Sequence, residues 1–425
     1  MVIPLWVRAN ANMRWLLVAR GLRSFTQGFL SVVVPLYLVA LGFQGLALGS
    51  LLTLATIGGS IMSLGVGLSG DRYGRRPAII GVAALAVGGM VMFIFVHSYG
   101  LLVAASVLST VGAGGGVGGG GAWGPFYPAE QPLVAGSCEP EQRNAAFAAI
   151  SFVGVLAGAV GSALAIIPQS LHSRGWAWVP AYQVMFWAAA VAALLTLLAC
   201  LKVREKRTPG VTSIWPSAHA WSVLRRLSVT NALNGFGWGF LGALLTYWFY
   251  ERFHVGPAAL GGLFTAANLL AALPYLGAAA LARRLGAVKA VTSTGIVAAA
   301  LLVVMGLAPT FLIAGIVFLV RIAINALSLP IRQSYVMGIT EDKHRSAVAA
   351  IGGLPSQLTA SLSPSVGTYL MQTWTLEAPL WLAAAFQFLN WGAYWLVFRR
   401  EVPPEERKAE SPPEAAAAAA EGEAG

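Results

Sequence analysis

Charge, cysteine and histidine are all scarce in this chain, and each scarcity closes a class of function. Only 10% of its 425 residues are charged, against 57% apolar, a balance far from that of an ordinary soluble globule. Cys138 and Cys200 have neither metal-ligand nor redox spacing. None of the five histidines falls in the middle of an apolar run, so a histidine proton relay has little to rest on and no metal or cofactor is expected. The glycine run GAGGGVGGGGAWG at 112–124 contains GxGxxG-like spacing, but it lies inside a membrane-length apolar stretch with no Lys-Ser/Thr pair after it to hold phosphates. Close helix approach and a bendable span are its expected uses. With no nucleotide-binding motif to read in the chain, an ATP-driven pump is not the expectation.

What is abundant is apolar length. Runs able to cross about 30 Å of hydrocarbon as helices recur at 15–39, 45–68, 78–97, 101–135, 145–168, 177–200, 229–250, 258–281, 290–307, 310–337, 347–371 and 379–398. The first is too long for a cleavable signal peptide. The net charge of +11 follows these spans rather than one surface, which argues against nucleic acid as a partner. Counted from an internal N-terminus, the inner segments hold Arg8, Arg14, Arg72, Arg75, Arg76, Arg143, Lys202, Arg204, Lys206, Arg207, Arg225, Arg226, Arg283, Arg284, Lys289, Lys343, Arg345 and four more near the C-terminus. The outer loops hold only Arg174 and Arg252. This asymmetry predicts a multi-pass protein of the plasma membrane with both termini in the cytoplasm.

The chain also repeats itself. FYPAEQPLVAG and SLPIRQSYVMG, 202 residues apart, align Pro128 with Pro330, Gln131 with Gln333, Gly136 with Gly338 and, further on, Arg143 with Arg345; Glu130 falls on Arg332. LGSLLT at 48–53 matches LGGLFT at 260–265 with an offset of 212, which also carries Asp71 to Arg283 and Gly74 to Gly286. The expected fold is therefore all-α, with twelve transmembrane helices in two pseudosymmetric six-helix bundles around a central cavity. The expected divisions are a first bundle over 1–201, a linker with an interfacial helix over 202–226, a second bundle over 227–400 and a disordered tail over 401–425.

Ionisable residues inside such spans are expensive and are functional candidates by default. Arg20, Arg23 and Gln27 share one face of the first span, and Arg321, Asn325, Ser328 and Arg332 form a stripe on the tenth. Counting helical rise places Arg23, Glu130 and Arg332 at a common depth of roughly 10–12 Å. Four arginines face one embedded acid, and the guanidinium fork matches carboxylate or phosphate, so an anionic solute is favoured over a neutral sugar. Arg23, Gln27, Gln131, Arg321, Asn325, Arg332 and Gln333 are the candidate cavity residues. Arg20 is expected to reach the inner headgroups. Glu130 has three readings: a proton carrier, half of a static ion pair with Arg332, or a cap and water contact. Asn231, Asn234 and Asn268 are expected to serve helix contacts, and Tyr247, Trp248 and Tyr250 an outer aromatic belt.

Between the second and third spans stands GLSGDRYGRRP, residues 67–77. With the duplicated organisation, it resembles the G-x-x-x-D-R-x-G-R-R motif of the major facilitator superfamily, carried here by Gly67, Asp71, Arg72, Gly74, Arg75 and Arg76. The resemblance implies that these residues govern rocking of the bundles. The second copy, GAAALARRLGAVKA, lacks the acid and is a weaker latch. The chain is read as a secondary transporter, not an enzyme. It moves a small solute, an organic anion being the leading candidate, by alternating access with proton coupling, amid membrane lipids and as a monomer. A proton-driven drug or metabolite exporter is one alternative, and a non-transporting receptor or a channel another.

Overall fold

A computed structural model describes residues 10–110, 124–139, 142–205, 218–272, 281, 284–338 and 353–399. The glycine run expected to bend the fourth span lies outside them, apart from Gly124. The fold is all-α. In the first half, α1 (Ala11–Ala40), α2 (Gly45–Tyr73), α3 (Arg75–Phe95), α4 (Tyr99–Leu108), α5 (Tyr127–Ala135), α6 (Arg143–Ala163), α7 (Ile167–His172) and α8 (Trp178–Lys202) follow in order. The second half has α9 (Ala218–Gly239), α10 (Ala243–Phe253), α11 (Pro257–Ala272), α12 (Ala287–Gly306), α13 (Phe311–Gly338), α14 (Leu354–Thr373) and α15 (Ala378–Phe398). Seven described helical stretches are long and apolar enough to cross a membrane, and two shorter helices, Tyr99–Leu108 and Pro257–Ala271, are apolar as well. The protein is thus a polytopic membrane protein in two related halves.

Local chemistry sets the helix ends. Asn10 caps α1, its side chain accepting from the backbone N–H groups of Asn12 and Met13 at 3.0 and 3.2 Å. Two expectations change. The seventh span is not one helix: α9 ends at Gly239, and a turn through Phe240–Gly242 precedes α10. Its helix also begins early, at Ala218, so Arg225 and Arg226 stand on α9 rather than on a separate interfacial element. By contrast α13 continues through position 330, which keeps Arg321, Asn325, Ser328 and Arg332 on one stripe.

Each half is built on the same crossing. In the first, α1 and α6 approach until a β-carbon at Gly161 would overlap the Phe25 carbonyl, and Ser162 donates to the Gly28 carbonyl at 3.2 Å. In the second, α9 and α14 meet the same way: a β-carbon at Gly235 would overlap the Ser356 carbonyl, and Ser363 donates to the Phe236 carbonyl at 3.2 Å. Small residues let backbones touch, and hydroxyl-to-carbonyl bonds then fix the register where lipid offers no hydrophobic drive.

The repeated LGxLxT segments explain themselves at the seam between the halves. Leu48 and Leu260 are both fully buried. Thr53 accepts from the backbone N–H and hydroxyl of Ser365 on α14 at 3.0 and 2.8 Å, while its equivalent, Thr265, donates to the Ala159 carbonyl on α6 at 3.2 Å. At one end the seam closes with two reciprocal caps. Gln169 on α7 accepts from the Ala258 N–H at the start of α11 at 3.0 Å, and Gln372 on α14 accepts from the Leu46 N–H at the start of α2 at 3.1 Å. Ala258 and Leu46 are related by the same 212-residue offset as the LGxLxT pair. Tyr247 joins them, its hydroxyl accepting from the Gly45 N–H at 3.3 Å. Tyr247 and Trp248 are accordingly 6% and 1% exposed, built into the core rather than into an aromatic belt.

Each glutamine cap contributes about 1 kcal/mol. Changing Gln169 and Gln372 together to Ala is therefore expected to loosen this end. In a background with Cys138→Ser and Cys200→Ser, a thiol placed at Ser31 in the seam should react with a maleimide about tenfold faster in detergent-solubilised protein. An unchanged rate would show that the caps do not hold the end shut.

Candidate functional site

Glu130 lies in the first turn of α5, where the exposed N–H groups favour a carboxylate. Proline at position 128 suits that turn. The side chain is 2% exposed, and its Oε2 accepts from Arg20 Nη1 at 2.9 Å and from Arg23 Nη2 at 3.1 Å. Both arginines come from α1 and are themselves buried, at 1% and 8%. Arg23 also lies over the Phe126 ring, 4.4 Å from its centre. Glu130 Oε1 is buried and meets no partner among the described residues.

This geometry bears on one of the three readings of Glu130, the static pair with Arg332. Glu130 does not pair with Arg332, the residue at its equivalent position. Arg332 instead donates to Asn231 Oδ1 on α9 and lies 5.9 Å from the centre of the Tyr394 ring. Arg20, expected to reach the headgroups, turns inward to the acid. Depth counting gave the heights of these residues but not their direction around the helix axis, and direction decides the partner.

The other cavity candidates divide. Gln27, one turn beyond Arg23, is half-buried, with its Oε1 enclosed and without a partner among the described residues. Gln131 and Asn325 are half-buried. Arg321 is 1% exposed, its guanidinium 5.2 Å from the centre of the Trp238 ring, and its Nε and Nη2 have no partner among the described residues. The Gln333 side chain lies outside them. Asn268 serves a helix contact as expected, donating to Ser162 Oγ at 3.3 Å and to the Phe264 carbonyl at 3.0 Å.

The inner-loop motif is held by a residue that sequence reasoning passed over. Gly74 has φ of +109°, a conformation that favours glycine, and it turns the chain sharply from α2 into α3. Helix α3 has no capping side chain of its own. Glu205, just beyond α8, supplies one: its two carboxylate oxygens accept from the backbone N–H groups of Arg75 and Arg76 at 3.0 and 2.9 Å. Arg76 also donates to the Leu201 carbonyl at 3.1 Å. Arg72 lies over the Tyr73 ring at 5.3 Å, Gly67 packs near Pro128, and the Asp71 side chain falls outside the described residues. The signal was faint: Glu205 is the lone acid in the basic run KVREKR.

Deleting one partner of a buried ion pair costs about 3–5 kcal/mol, because the other is left uncompensated. Glu130→Leu strands two guanidiniums, whereas Arg20→Met leaves the Glu130–Arg23 pair whole. Thermal unfolding of the purified protein should therefore show the larger loss for Glu130→Leu; a larger loss for Arg20→Met would contradict this charge balance.

A model of the Major Facilitator Superfamily matches the chain twice, over residues 16–230 and 227–422. An uncharacterized membrane protein of Saccharomyces cerevisiae, YJR124C, is 22% identical over 395 residues, spanning 84% of this chain and 87% of that one. Among solved structures, the human organic anion transporter MFSD10 (TETRAN) is 17% identical with a TM-score of 0.63, over 91% of this chain and 99% of that one. The POT family transporter PepTSo is 12% identical with a TM-score of 0.71, over 92% and 98%. At such identities the likeness to the solved structures is one of fold.

Proposed function

The chain belongs to the Major Facilitator Superfamily and, as a transport protein of that family, moves a small solute across a membrane; from that premise we propose that the solute is an organic anion and that its movement is coupled to protons through Glu130. The observation that carries this reading is the excess of guanidinium inside the protein. Arg20, Arg23, Arg321 and Arg332 are balanced by Glu130 alone among the described interior side chains. Arginine keeps its proton, so the surplus needs an anion rather than a proton shift to offset it. The likeness to a human organic anion transporter extends to the fold, and the charge of the interior is what favours an anion here.

Glu130 and an arriving anion compete for the same donors. A carboxylate or phosphate that engages Arg23 releases Glu130, which then takes a proton. Bundle rocking carries both across, with 1–201 and 227–400 as the moving bodies of six spans each, joined through 202–226, whose last residues already belong to α9. The inward bias of basic segments supports a plasma-membrane protein with both termini in the cytoplasm. The end capped by Gln169 and Gln372 is then the external one. The protein acts as a monomer, since one chain supplies both halves. Because Glu130 is the embedded acid of the first half, a proton-driven exporter of drugs or metabolites is the second reading; saturable flux with counterflow would separate either transporter from a channel or receptor.

Two measurements test the proposal. In proteoliposomes, Glu130→Gln should abolish transport driven by a pH gradient and leave solute exchange intact, and equal loss of both would end the coupling role. Charge-assisted hydrogen bonds contribute about 1.5–3 kcal/mol, so Arg23→Gln and Arg332→Gln should each weaken binding of an anionic solute roughly tenfold or more while sparing a neutral analogue. Equal affinities across a charge series in both variants would remove the anion.

A further inference from the structure

The two helix crossings fix how the halves superimpose, and they pair residues that the sequence repeat leaves apart. Gly158 on α6 faces the Ser24 carbonyl on α1, and Thr359 on α14 donates to the Ala232 carbonyl on α9 at 2.8 Å. One turn on, Ser162 and Ser363 donate to the carbonyls of Gly28 and Phe236. Both contacts carry α6 onto α14 with an offset of 201 and α1 onto α9 with an offset of 208, so Arg23 falls on Asn231. The repeat already sets Glu130 on Arg332.

The bond between Arg23 and Glu130 and the bond between Arg332 and Asn231 are therefore one contact made twice. An aromatic ring attends the guanidinium in each copy, Phe126 at 4.4 Å and Tyr394 at 5.9 Å. What differs is the charge. In the first half the partner of the arginine is a carboxylate, whereas in the second it is an amide, whose oxygen accepts the same hydrogen bond without cancelling the cation. Aspartate has nearly the size of asparagine and would have closed a second ion pair here. Among the described residues no buried acid lies in the second half. Ile331, beside Arg332, packs into an apolar cluster with Tyr394 and Phe398, so the surroundings strengthen whatever charge the guanidinium meets. Asn231 and Arg332 are both half-buried, which leaves the pair open to a ligand.

We propose that Asn231 is a positioning residue, holding the Arg332 guanidinium in place while leaving its charge for the transported anion. A solute that binds in the first half must displace Glu130 from Arg23. In the second half it meets an arginine already oriented, with no acid to displace. This rests on the anion reading above and adds to it a residue whose expected role was helix contact alone.

The test is titration calorimetry on the purified full-length protein with succinate, benzoate and glycerol 3-phosphate as probes. Any of these that binds the unaltered protein should bind Asn231→Asp about tenfold more weakly or worse, because the new carboxylate takes the guanidinium. Asn231→Leu, which releases Arg332 without adding charge, should lose less affinity than Asn231→Asp. Melting temperatures should run the other way: kept or raised in Asn231→Asp, lowered in Asn231→Leu. A merely structural contact would move the melting temperatures and leave both affinities alone. Unchanged affinity in Asn231→Asp thus overturns the role of Asn231, and the anion reading stands if Arg332→Gln still weakens the same probe. A lowered melting temperature in Asn231→Asp, or a variant too unstable to purify, also overturns it, since the pair with Arg332 has not formed. Failure of all three probes to bind the unaltered protein overturns both.

Discussion

Buried guanidinium is the constraint from which the rest of this interior follows. A guanidinium within a membrane-spanning helix must face inward and must find either an acid, an aromatic face or a polar partner. Arg20 and Arg23 find the acid, Glu130. Arg332 finds Asn231 and the Tyr394 ring, and Arg321 finds the face of Trp238. Only the first of these solutions cancels charge. The others lower the cost of burial while leaving the cation available, which is the condition a reversible anion site requires.

The two halves share their joints and differ in their contents. Glycine-lined crossings with a serine donating to a carbonyl occur in both, α1 with α6 and α9 with α14. The seam uses the same LGxLxT segment twice, and the end caps are exchanged reciprocally between halves. Joints of this kind need small residues and hydroxyls at fixed positions, so both copies are held to them. The interior has no such obligation. There Glu130 stands against Arg332, and the apolar middle of α8 against Gln387 and Asn390 of α15. The seam is symmetric, whereas the buried acid among the described residues, Glu130, belongs to the first half alone.

Much of this was legible in the sequence because it rests on period and position. Apolar length located the seven described stretches able to cross a membrane, and three- and four-residue spacing put Arg20 with Arg23 and Arg321 with Arg332 on single faces. What escaped depended on contacts between distant segments. Nothing local says that Glu205 will cap α3, since the cap is defined by the approach of α8. The break at Phe240–Gly242 hides within an unbroken apolar run, because turn and helix there are equally hydrophobic. Gln387 and Asn390 on α15 attracted no attention because they carry no charge and sit in a run apolar enough to absorb two amides, although burying them is costly.

The reciprocal caps at the seam bear on how such a molecule changes state. Each glutamine satisfies the first turn of a helix in the opposite half, so separating the halves exposes two helix starts at once. Water can take those N–H groups when the end opens, and the net cost is then the small difference between a side-chain cap and a hydrated one. That difference is the right size for a transporter: a few such contacts bias closure by a few kcal/mol, within reach of the differential affinity of a bound solute. A seam closed by buried ion pairs would instead leave uncompensated charges on opening, and a cost of that kind is beyond what binding a small anion could reverse. Among the described residues the contacts across the seam are accordingly neutral hydrogen bonds, and the buried ion pairs lie within one half.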